Sequence, residues 1–385
     1  MSIPVADAAA LTAELVRLDT RNPSLVPDAP GEMAAVRMLS ELLPGWGFRV
    51  QVQDVAPGRA NLLARIGPEG GRVLMFNGHL DVVGTEGMTH PPFEPLERDG
   101  RLYGRGSADM KGGVAAMCAA AARAAAGGLE GELLVACVAD EEYESLGTRA
   151  LVQSGERAEA AIVTEPTGLA ICPAHRGFVW LEIAVHGHAA HGSRFDIGVD
   201  AIRHAARVLV ELDRHEREVL VRRTHPLLGR ASLHASTVEG GVGWSTYPER
   251  CVLRVERRTL PGESASDAVR EVETAIARSR DAIPELRAEV VVVGSQAPSD
   301  VAPDAPVVES LRRSLVSSGE EIRVEGLSAW TDAALLNEAG IPAICFGPGD
   351  ILLAHAAEEW VPLDEIERVT RVLEQFALSW FSGRA

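Results

Sequence analysis

The run Arg72-Val-Leu-Met-Phe-Asn-Gly-His-Leu-Asp81 contains four successive apolar residues after Arg72 and ends with a histidine and an aspartate. An apolar run of this length before a turn predicts a β-strand. Similar runs occur at Glu132 to Val138, at Ala160 to Val163 and at Ala343 to Phe346, with helical patterns between them. This alternation of strands and helices predicts an α/β fold, a sheet covered by helices.

Two helices are well marked in the sequence. The Ala-rich run Val114 to Ala126 is followed by Gly127 and Gly128, which favour the backbone conformation of a helix C-terminus. Near the end of the chain, apolar residues from Ile366 to Phe376 recur at helical spacing, which predicts an amphipathic helix packed on the sheet.

The middle of the chain follows a different pattern. An alternating strand with Val179, Leu181, Ile183 and Val185 is followed by a helix, a second strand and another helix, and the first pattern returns only near Ala343. We therefore predict a catalytic domain at 1–176 and 295–385, interrupted by a smaller α+β domain at 177–294.

Composition excludes several classes of function. The 385 residues carry a formal charge of -18, which disfavours nucleic acid and anionic lipid as partners. The N-terminus lacks the pattern of a signal peptide, and no apolar run is long enough to span a membrane, so we expect a cytoplasmic protein. The five cysteines are scattered, which is typical of reduced, buried thiols.

Histidines and carboxylates follow the predicted strands, where open α/β sheets bind their ligands. They are His79 and Asp81, Asp109 in Gly104-Arg-Gly-Ser-Ala-Asp-Met-Lys-Gly-Gly113, the run Asp140-Glu141-Glu142, Glu165, and His355 after a Gly-Pro-Gly turn. Carboxylates that converge in one cleft repel one another unless cations are bound. Oxygen and imidazole ligands without thiolate suit zinc, cobalt or manganese, and their number exceeds what one tetrahedral ion takes, so two ions are expected.

Each position alone has an ordinary explanation. A single histidine after a strand is more often structural than catalytic, and an acidic pair such as Glu141-Glu142 is usually a solvated turn. The Gly104-Arg-Gly106 loop is not a dinucleotide fingerprint, because Asp109 stands where the third glycine is needed. The occurrence of all five positions in this order favours a metal site.

These motifs resemble the M20 family of dinuclear metallohydrolases over nearly the whole chain. The most specific parts are His79-Leu-Asp81, Gly104 to Gly113, Asp140-Glu141-Glu142, and Gly347-Pro-Gly349 followed by His355 and Glu359. The resemblance implies a zinc-exopeptidase-like catalytic domain with a central mixed sheet, and an inserted lid and dimerisation domain.

The resemblance also implies roles for single residues. His79, Asp109 and Glu165 would hold one metal ion, and Asp109, Glu142 and His355 the other, so that Asp109 bridges them. Asp81 would orient His79. Glu141 would be the general base that takes a proton from water.

The inserted domain would supply two further groups. His191, in Gly187-His-Ala-Ala-His-Gly192, matches a histidine that reaches across a dimer interface to stabilise the oxyanion. Arg258, in Glu256-Arg-Arg-Thr-Leu-Pro-Gly262, matches a clamp for a substrate carboxylate, and its neighbour Arg257 is expected to be solvated.

The sequence departs from the family pattern at Ser245, where many relatives carry asparagine, and at Glu256, where aspartate is common. Lys111 is the only lysine of the chain, and we expect it to face solvent at the start of a helix.

The leading hypothesis is a homodimeric deacylase of N-acyl amino acids, with N-acetylornithine as the first substrate to consider. A metallopeptidase of the carboxypeptidase or dipeptidase kind would share every metal ligand and act on short peptides. An inactive relative that serves as a binding or scaffold protein is the alternative of another class, and the complete set of ligands and base argues against it.

Overall fold

The computed structural model describes residues 3–383. Contacts divide the chain into two compact units. The first contains the residues up to Pro173, Val301–Glu325 and the residues from Thr331 onward, and the second contains Ala174–Asp300 and Gly326–Trp330. The sequence had placed the boundaries of the inserted domain at residues 177 and 294.

The described part of the chain contains the following strands, in chain order: β1 Arg49–Ala56, β2 Arg59–Ile66, β3 Val73–His79, β4 Leu96–Arg98, β5 Arg101–Tyr103, β6 Glu132–Val138, β7 Ala160–Val163, β8 Ile171–His175, β9 Gly177–His186, β10 Thr224–His225, β11 Gly229–Arg230, β12 Ser232–Gly240, β13 Arg250–Thr259, β14 Arg287–Gln296, β15 Ser299–Asp300, β16 Val324–Leu327, β17 Ala343–Cys345 and β18 Trp360–Pro362.

The α-helices of the same residues are α1 Ala8–Val16, α2 Met33–Leu42, α3 Gly112–Ala126, α4 Leu146–Gln153, α5 Ala201–Glu218, α6 Ala265–Ala282, α7 Pro306–Ser317, α8 Ala333–Glu338 and α9 Leu363–Phe381. Both helices singled out in the sequence are present, as α3 and α9. Among residues 3–383, no helix combines the length and apolar character that crossing a membrane requires.

The large sheet of the first unit is mixed, which confirms the predicted α/β class. Its strands lie in the order β1-β2-β6-β3-β7-β17-β8. Strands β6, β3, β7 and β17 are parallel, whereas β1, β2 and β8 run antiparallel to their neighbours. The carboxyl ends of the four parallel strands therefore meet at one edge of the sheet.

Helix α3 is almost entirely buried in the core of the first unit, together with apolar residues of α9. Its many alanines let the helix lie close to its neighbours. At its start, a Cβ atom on Gly113 would lie 2.0 Å from the carbonyl oxygen of Thr164, so only glycine permits this approach to the end of β7. All five cysteines of the chain are buried, as predicted.

The second unit contains a four-stranded antiparallel sheet in the order β12-β13-β9-β14. Alternate residues of β9, from Val179 to Val185, form a core with apolar residues of α5 and α6. These two helices therefore cover one face of the sheet, and the even-numbered residues of β9 lie on the other face.

Candidate metal centre

Three parallel strands bring most of the predicted site residues to one edge of the sheet. Strand β3 ends at His79, Glu141 and Glu142 follow the end of β6, and Glu165 follows the end of β7. Because β6, β3 and β7 are neighbours, these side chains converge. The arrangement agrees with the rule that open α/β sheets bind ligands beyond the carboxyl ends of their strands.

Asp109 lies between the two histidines of the site. It belongs to the turn Ser107–Lys111 before α3, and the peptide bond that follows it is cis. One carboxylate oxygen, Oδ1, is 3.0 Å from Nε2 of His79, and the other, Oδ2, is 3.6 Å from Nε2 of His355. His355 also lies 3.0 Å from a carboxylate oxygen of Glu142. The two oxygens of Asp109 thus face two different histidines.

Two sets of side chains have ligand atoms close enough to share an ion. They are His79, Glu141 and Glu165, and His79, Asp109 and Glu142, and within each set the ligand atoms lie within 4.8 Å of one another. Oε1 of Glu165 is buried and finds no hydrogen-bond partner within residues 3–383. A buried carboxylate oxygen without a donor is what a cation would satisfy, so the residues present fit a divalent metal centre.

The pKa shifts of the carboxylates reflect this crowding of charge. Burial raises the pKa of Glu141 well above its ordinary value, and the charges of Glu165, Asp332 and Glu142 raise it further. Burial and the charge of Asp109 likewise raise the pKa of Glu165 well above its ordinary value and raise that of Glu142. Without cations, this cluster favours bound protons.

Nearby carboxylates raise the pKa of both histidines, although burial alone would lower it. Burial lowers the pKa of His79, but the hydrogen bond with Asp109 and the charges of Glu141 and Asp109 outweigh it and raise the pKa well above its ordinary value. The hydrogen bond with Glu142 raises the pKa of His355 to about 9. At Asp109, burial raises the pKa, but the hydrogen bond with His79 and the charges of His79 and His355 outweigh it and lower the pKa.

Asp81 contacts His79 through its main chain. Its main-chain oxygen, rather than its carboxylate, is the group 2.9 Å from Nδ1 of His79, and the nearer carboxylate oxygen is 3.7 Å away. The carboxylate instead accepts the backbone N–H groups of Glu141 and Glu142 at 3.1 and 3.2 Å. Asp81 therefore holds the His79 ring and the turn that carries the two glutamates.

Sequence reasoning missed the buried polar layer behind this turn. The Asn22 amide donates to Asp81 and Asp140, and the Arg59 guanidinium donates to Asp140 at 2.8 Å and to Glu32. All five side chains are buried. The available signal was an arginine next to an asparagine-containing apolar strand, Arg59-Ala-Asn-Leu-Leu63, which is unusual for a sheet interior.

A second buried carboxylate supports the loop that carries Asp109. Glu359 accepts the Arg105 guanidinium at 2.6 Å and the backbone N–H groups of Gly106, Ala108 and Asp109 at 3.0 to 3.2 Å. The sequence motif included Glu359, but no role had been assigned to it. The contacts show that it fixes the backbone on which Asp109 stands.

The expected positions of Lys111 and Arg257 were wrong. Lys111 is buried, donates to the carbonyl oxygen of Leu18 at 2.9 Å, and its burial lowers the pKa to about 7. Arg257 is 1 % exposed and pairs with Glu263 and Glu271 at 2.8 and 2.9 Å. Both side chains can be buried because a backbone carbonyl group or carboxylates compensate them.

The remaining predicted residues lie in the second unit. His191 is exposed, and its Nδ1 is 2.8 Å from the hydroxyl of Ser193. Arg258 is partly exposed on β13, where its Nε donates to Glu256 at 2.5 Å. Both side chains are accessible to a ligand.

Comparison with known proteins gives a consistent result. The model of peptidase family M20/M25/M40 matches residues 75–379. The chain is similar to an acetylornithine deacetylase of Myxococcus xanthus, with 32% identity over 97% of this chain and 98% of the relative. It is also similar to an N-formyl-4-amino-5-aminomethyl-2-methylpyrimidine deformylase of Bacillus subtilis, with 29% identity over 88% of this chain and 87% of the relative.

Solved structures share the fold. The aminopeptidase PepT from Bacillus cereus superposes with a TM-score of 0.80 at 19% identity, over 99% of this chain and 100% of that one. A dinuclear metal-binding peptidase of Bacillus subtilis gives a TM-score of 0.72 at 16% identity, over 97% and 98%.

Proposed function

Because this chain belongs to peptidase family M20/M25/M40, we propose that it is a deacylase that hydrolyses the amide bond of N-acyl amino acids with two divalent cations. The family resemblance seen in the motifs is confirmed, and with it the assignment to metal-dependent hydrolases of linear amides. The acyl group, the amino acid and the residue roles that follow are parts of the proposal. N-acetylornithine is the first substrate to test, since a relative at 32% identity is named for it.

The observation that carries the proposal is the position of Asp109, whose two carboxylate oxygens face His79 and His355. Glu165 would complete the set around His79, and Glu142 the set around His355. Zinc is the cation expected from these ligands, with cobalt or manganese as alternatives. When bound, such cations supply Lewis acidity to the substrate carbonyl and make water more acidic.

Glu141 is assigned the proton transfers. Its side chain is 10 % exposed, and a carboxylate oxygen lies 3.9 Å from Nε2 of His79, so Glu141 lies beside the proposed ligands. We assign it to take a proton from the attacking water and to pass that proton to the departing amine, which leaves as a neutral group. Asp81 would keep Glu141 in place through the backbone of the turn.

Residues of the second unit would bind the substrate. Arg258 is assigned to the substrate carboxylate, because a guanidinium can donate two parallel hydrogen bonds to it. His191 is assigned to the developing oxyanion in the site of the partner subunit of a homodimer. The exposure of both side chains supports these assignments.

A substrate screen tests the proposal. Protein reconstituted with zinc, cobalt or manganese is incubated with N-acetylornithine, other N-acetyl and N-succinyl amino acids, dipeptides, and the N-formylated aminomethylpyrimidine named for a relative, and free amine is measured. We expect turnover of N-acyl amino acids. Protein carrying Glu141→Ala, prepared in the same way, controls for a contaminating hydrolase. Turnover of dipeptides alone would replace the deacylase with a peptidase, and absence of bound metal and of all turnover would contradict the enzyme.

A further inference from the structure

The face of the second unit's sheet that lies opposite to α5 and α6 carries a cluster of aromatic rings around Arg258. On β9, Phe178 and Trp180 lie on the face opposite to the helices. Strand β13 places Arg258 directly beside Phe178 and Glu256 directly beside Trp180. Trp330 joins them from the separate segment of this unit. We call these five residues the aromatic face.

The side chains of the aromatic face are fixed in relation to one another. The rings of Phe178 and Trp180 are 4.7 Å apart, and Trp330 meets Phe178 edge-on at 6.4 Å. Glu256 accepts the indole N–H of Trp180 at 2.9 Å and Nε of Arg258 at 2.5 Å. The Arg258 guanidinium also lies 5.6 Å from the centre of the Phe178 ring. The cluster is therefore preorganised before any ligand arrives.

Two features point to a ligand. Trp180 is 40 % exposed although its ring is held by neighbours, and a large indole that is both fixed and exposed is typical of a binding surface. Nε of Arg258 donates to Glu256, whereas Nη1 and Nη2 make no hydrogen bond to residues 3–383. The aromatic face thus offers two donors for a carboxylate next to a ring surface.

We propose that the aromatic face selects N-acyl amino acids whose side chain is aromatic or another flat apolar group. With the carboxylate on Arg258, the side chain of the same amino acid would lie against Trp180 and Phe178. An ornithine side chain gains less there than a ring, because it offers no flat apolar surface to Trp180 and Phe178 and because the charge of Glu256 is already paired with Arg258. This inference rests on the proposed deacylase function and narrows its substrate class.

Kinetics with matched substrates test the inference. In wild type, kcat/KM should be at least tenfold higher for N-acetylphenylalanine than for N-acetylornithine. Trp180→Ala should lower the ratio of kcat/KM for N-acetylphenylalanine over N-acetylalanine by about tenfold, which corresponds to 1.4 kcal/mol, and Trp180→Phe should retain most of it. Val291→Ala is the control, since Val291 is an exposed apolar residue elsewhere on the same sheet.

Binding provides a second measurement that needs no turnover. Calorimetry compares 3-phenylpropanoate, which has a carboxylate and a ring, with propanoate, which has only the carboxylate. Wild type should bind 3-phenylpropanoate about tenfold more tightly, and Trp180→Ala should remove the difference.

The outcomes separate the inference from the proposed function. If N-acyl amino acids are cleaved but Trp180→Ala lowers all of them equally, or if N-acetylornithine is preferred, the aromatic face does not select the side chain and the deacylase stands. If the N-formylated aminomethylpyrimidine is preferred, the ring surface serves a ligand without a carboxylate, and the inference is wrong. If no N-acyl amino acid is cleaved, the proposed function fails and this inference fails with it.

Discussion

The metal centre of the first unit and the aromatic face of the second are built on opposite principles. In the metal centre, the side chains of His79, Asp109 and Glu165 are buried and His355 is half exposed. Further buried groups, such as Asp81 and Glu359, hold the backbone of the centre in place. In the aromatic face, Trp180 is exposed, Phe178 and Trp330 are half-buried, and the charges of Glu256 and Arg258 remain in contact with solvent. The first region can keep a fixed geometry for any substrate, whereas the second presents a surface that distinguishes substrates.

This contrast has a consequence for substitutions. A change in the metal centre should lower turnover by a similar factor for every substrate, because the chemistry of the amide is common to all of them. The effect of a change in the aromatic face should depend on whether the substrate carries a free carboxylate and an aromatic side chain.

The largest effect is expected for Glu141→Ala. Removing the general base should lower kcat by about 10² to 10⁴-fold for all substrates, because the neighbouring carboxylates of Glu142 and Glu165 are assigned to the cations and not to the proton. Both metal ions should remain bound, as measured by elemental analysis. If this variant loses an ion while Glu142→Ala keeps both, the roles of the two glutamates are exchanged.

His191→Ala should reduce turnover by about 10²-fold or more, the loss expected when an oxyanion donor is removed. It belongs to the second unit but should behave like the metal centre, affecting all substrates alike. If it acts in the partner subunit, equal amounts of Glu141→Ala and His191→Ala chains, once exchanged, should recover about one quarter of wild-type activity.

The reason is that half of the dimers are mixed and each of these has one complete site. Differently tagged chains establish that mixed dimers have formed. Mixed dimers that stay as inactive as both parents would show that His191 does not act across an interface.

A smaller and selective effect is expected for Arg258→Lys. An ammonium group cannot form the planar pair of hydrogen bonds that a guanidinium forms, so kcat/KM for free-acid substrates should fall by about tenfold, the factor that corresponds to the 1.4 kcal/mol within reach of a charged hydrogen bond. Methyl esters of the same substrates should be nearly unaffected. Equal losses on acids and esters would remove Arg258 from carboxylate binding.

The sequence predicted the strand ends of the metal centre better than the groups that support them. His79 and Glu165 follow apolar runs that can be recognised locally, and parallel neighbours must bring them together. Arg59 and Asp140 are 81 residues apart, so nothing in the local pattern of either indicates that they pair. Lys111 was likewise expected in solvent, because its partner, the carbonyl oxygen of Leu18, lies 93 residues away. The partners of Arg257 are only 6 and 14 residues away, but they meet it through the turn after β13 and the packing of α6, which the local pattern of Arg257 does not show.

The aromatic face was missed for a related reason. The alternation of β9 identified Val179 and Leu181 as core, and Phe178 and Trp180 then appear as ordinary residues of the other face. Their importance depends on the pairing of β9 with β13 and on Trp330, which is far away in sequence. The roles of all site residues, and the domain boundaries at 177 and 294, stay predictions.

The smallest effect concerns stability and follows from the pKa shifts of the metal-free centre. A group with a pKa that is raised on folding contributes stability below its unfolded pKa, and that contribution is lost as pH rises through the folded value. For Glu141 and Glu165 the loss of stability begins above pH 4.5. For His355 it extends from pH 6.5 to about 9. The lowered pKa of Asp109 adds no slope in this range, because its contribution is complete above 3.8.

Metal-free protein should therefore lose stability, relative to metal-loaded protein, as pH rises from 4.5 to about 9. Cations compensate the carboxylates and bind more tightly as the ligands lose protons, so the gap between the two forms should widen with pH. Urea unfolding at several pH values, with chelator or with zinc, measures this gap.

The difference between the free energies of unfolding of the two forms cancels the contribution of groups outside the centre. One such group is His175, where burial lowers the pKa to about 4. Glu165→Gln should reduce the slope of metal-free protein, whereas Glu338→Gln, at an exposed position, should leave it unchanged. A gap that is constant with pH would mean that the carboxylates of the centre do not repel one another as their burial implies.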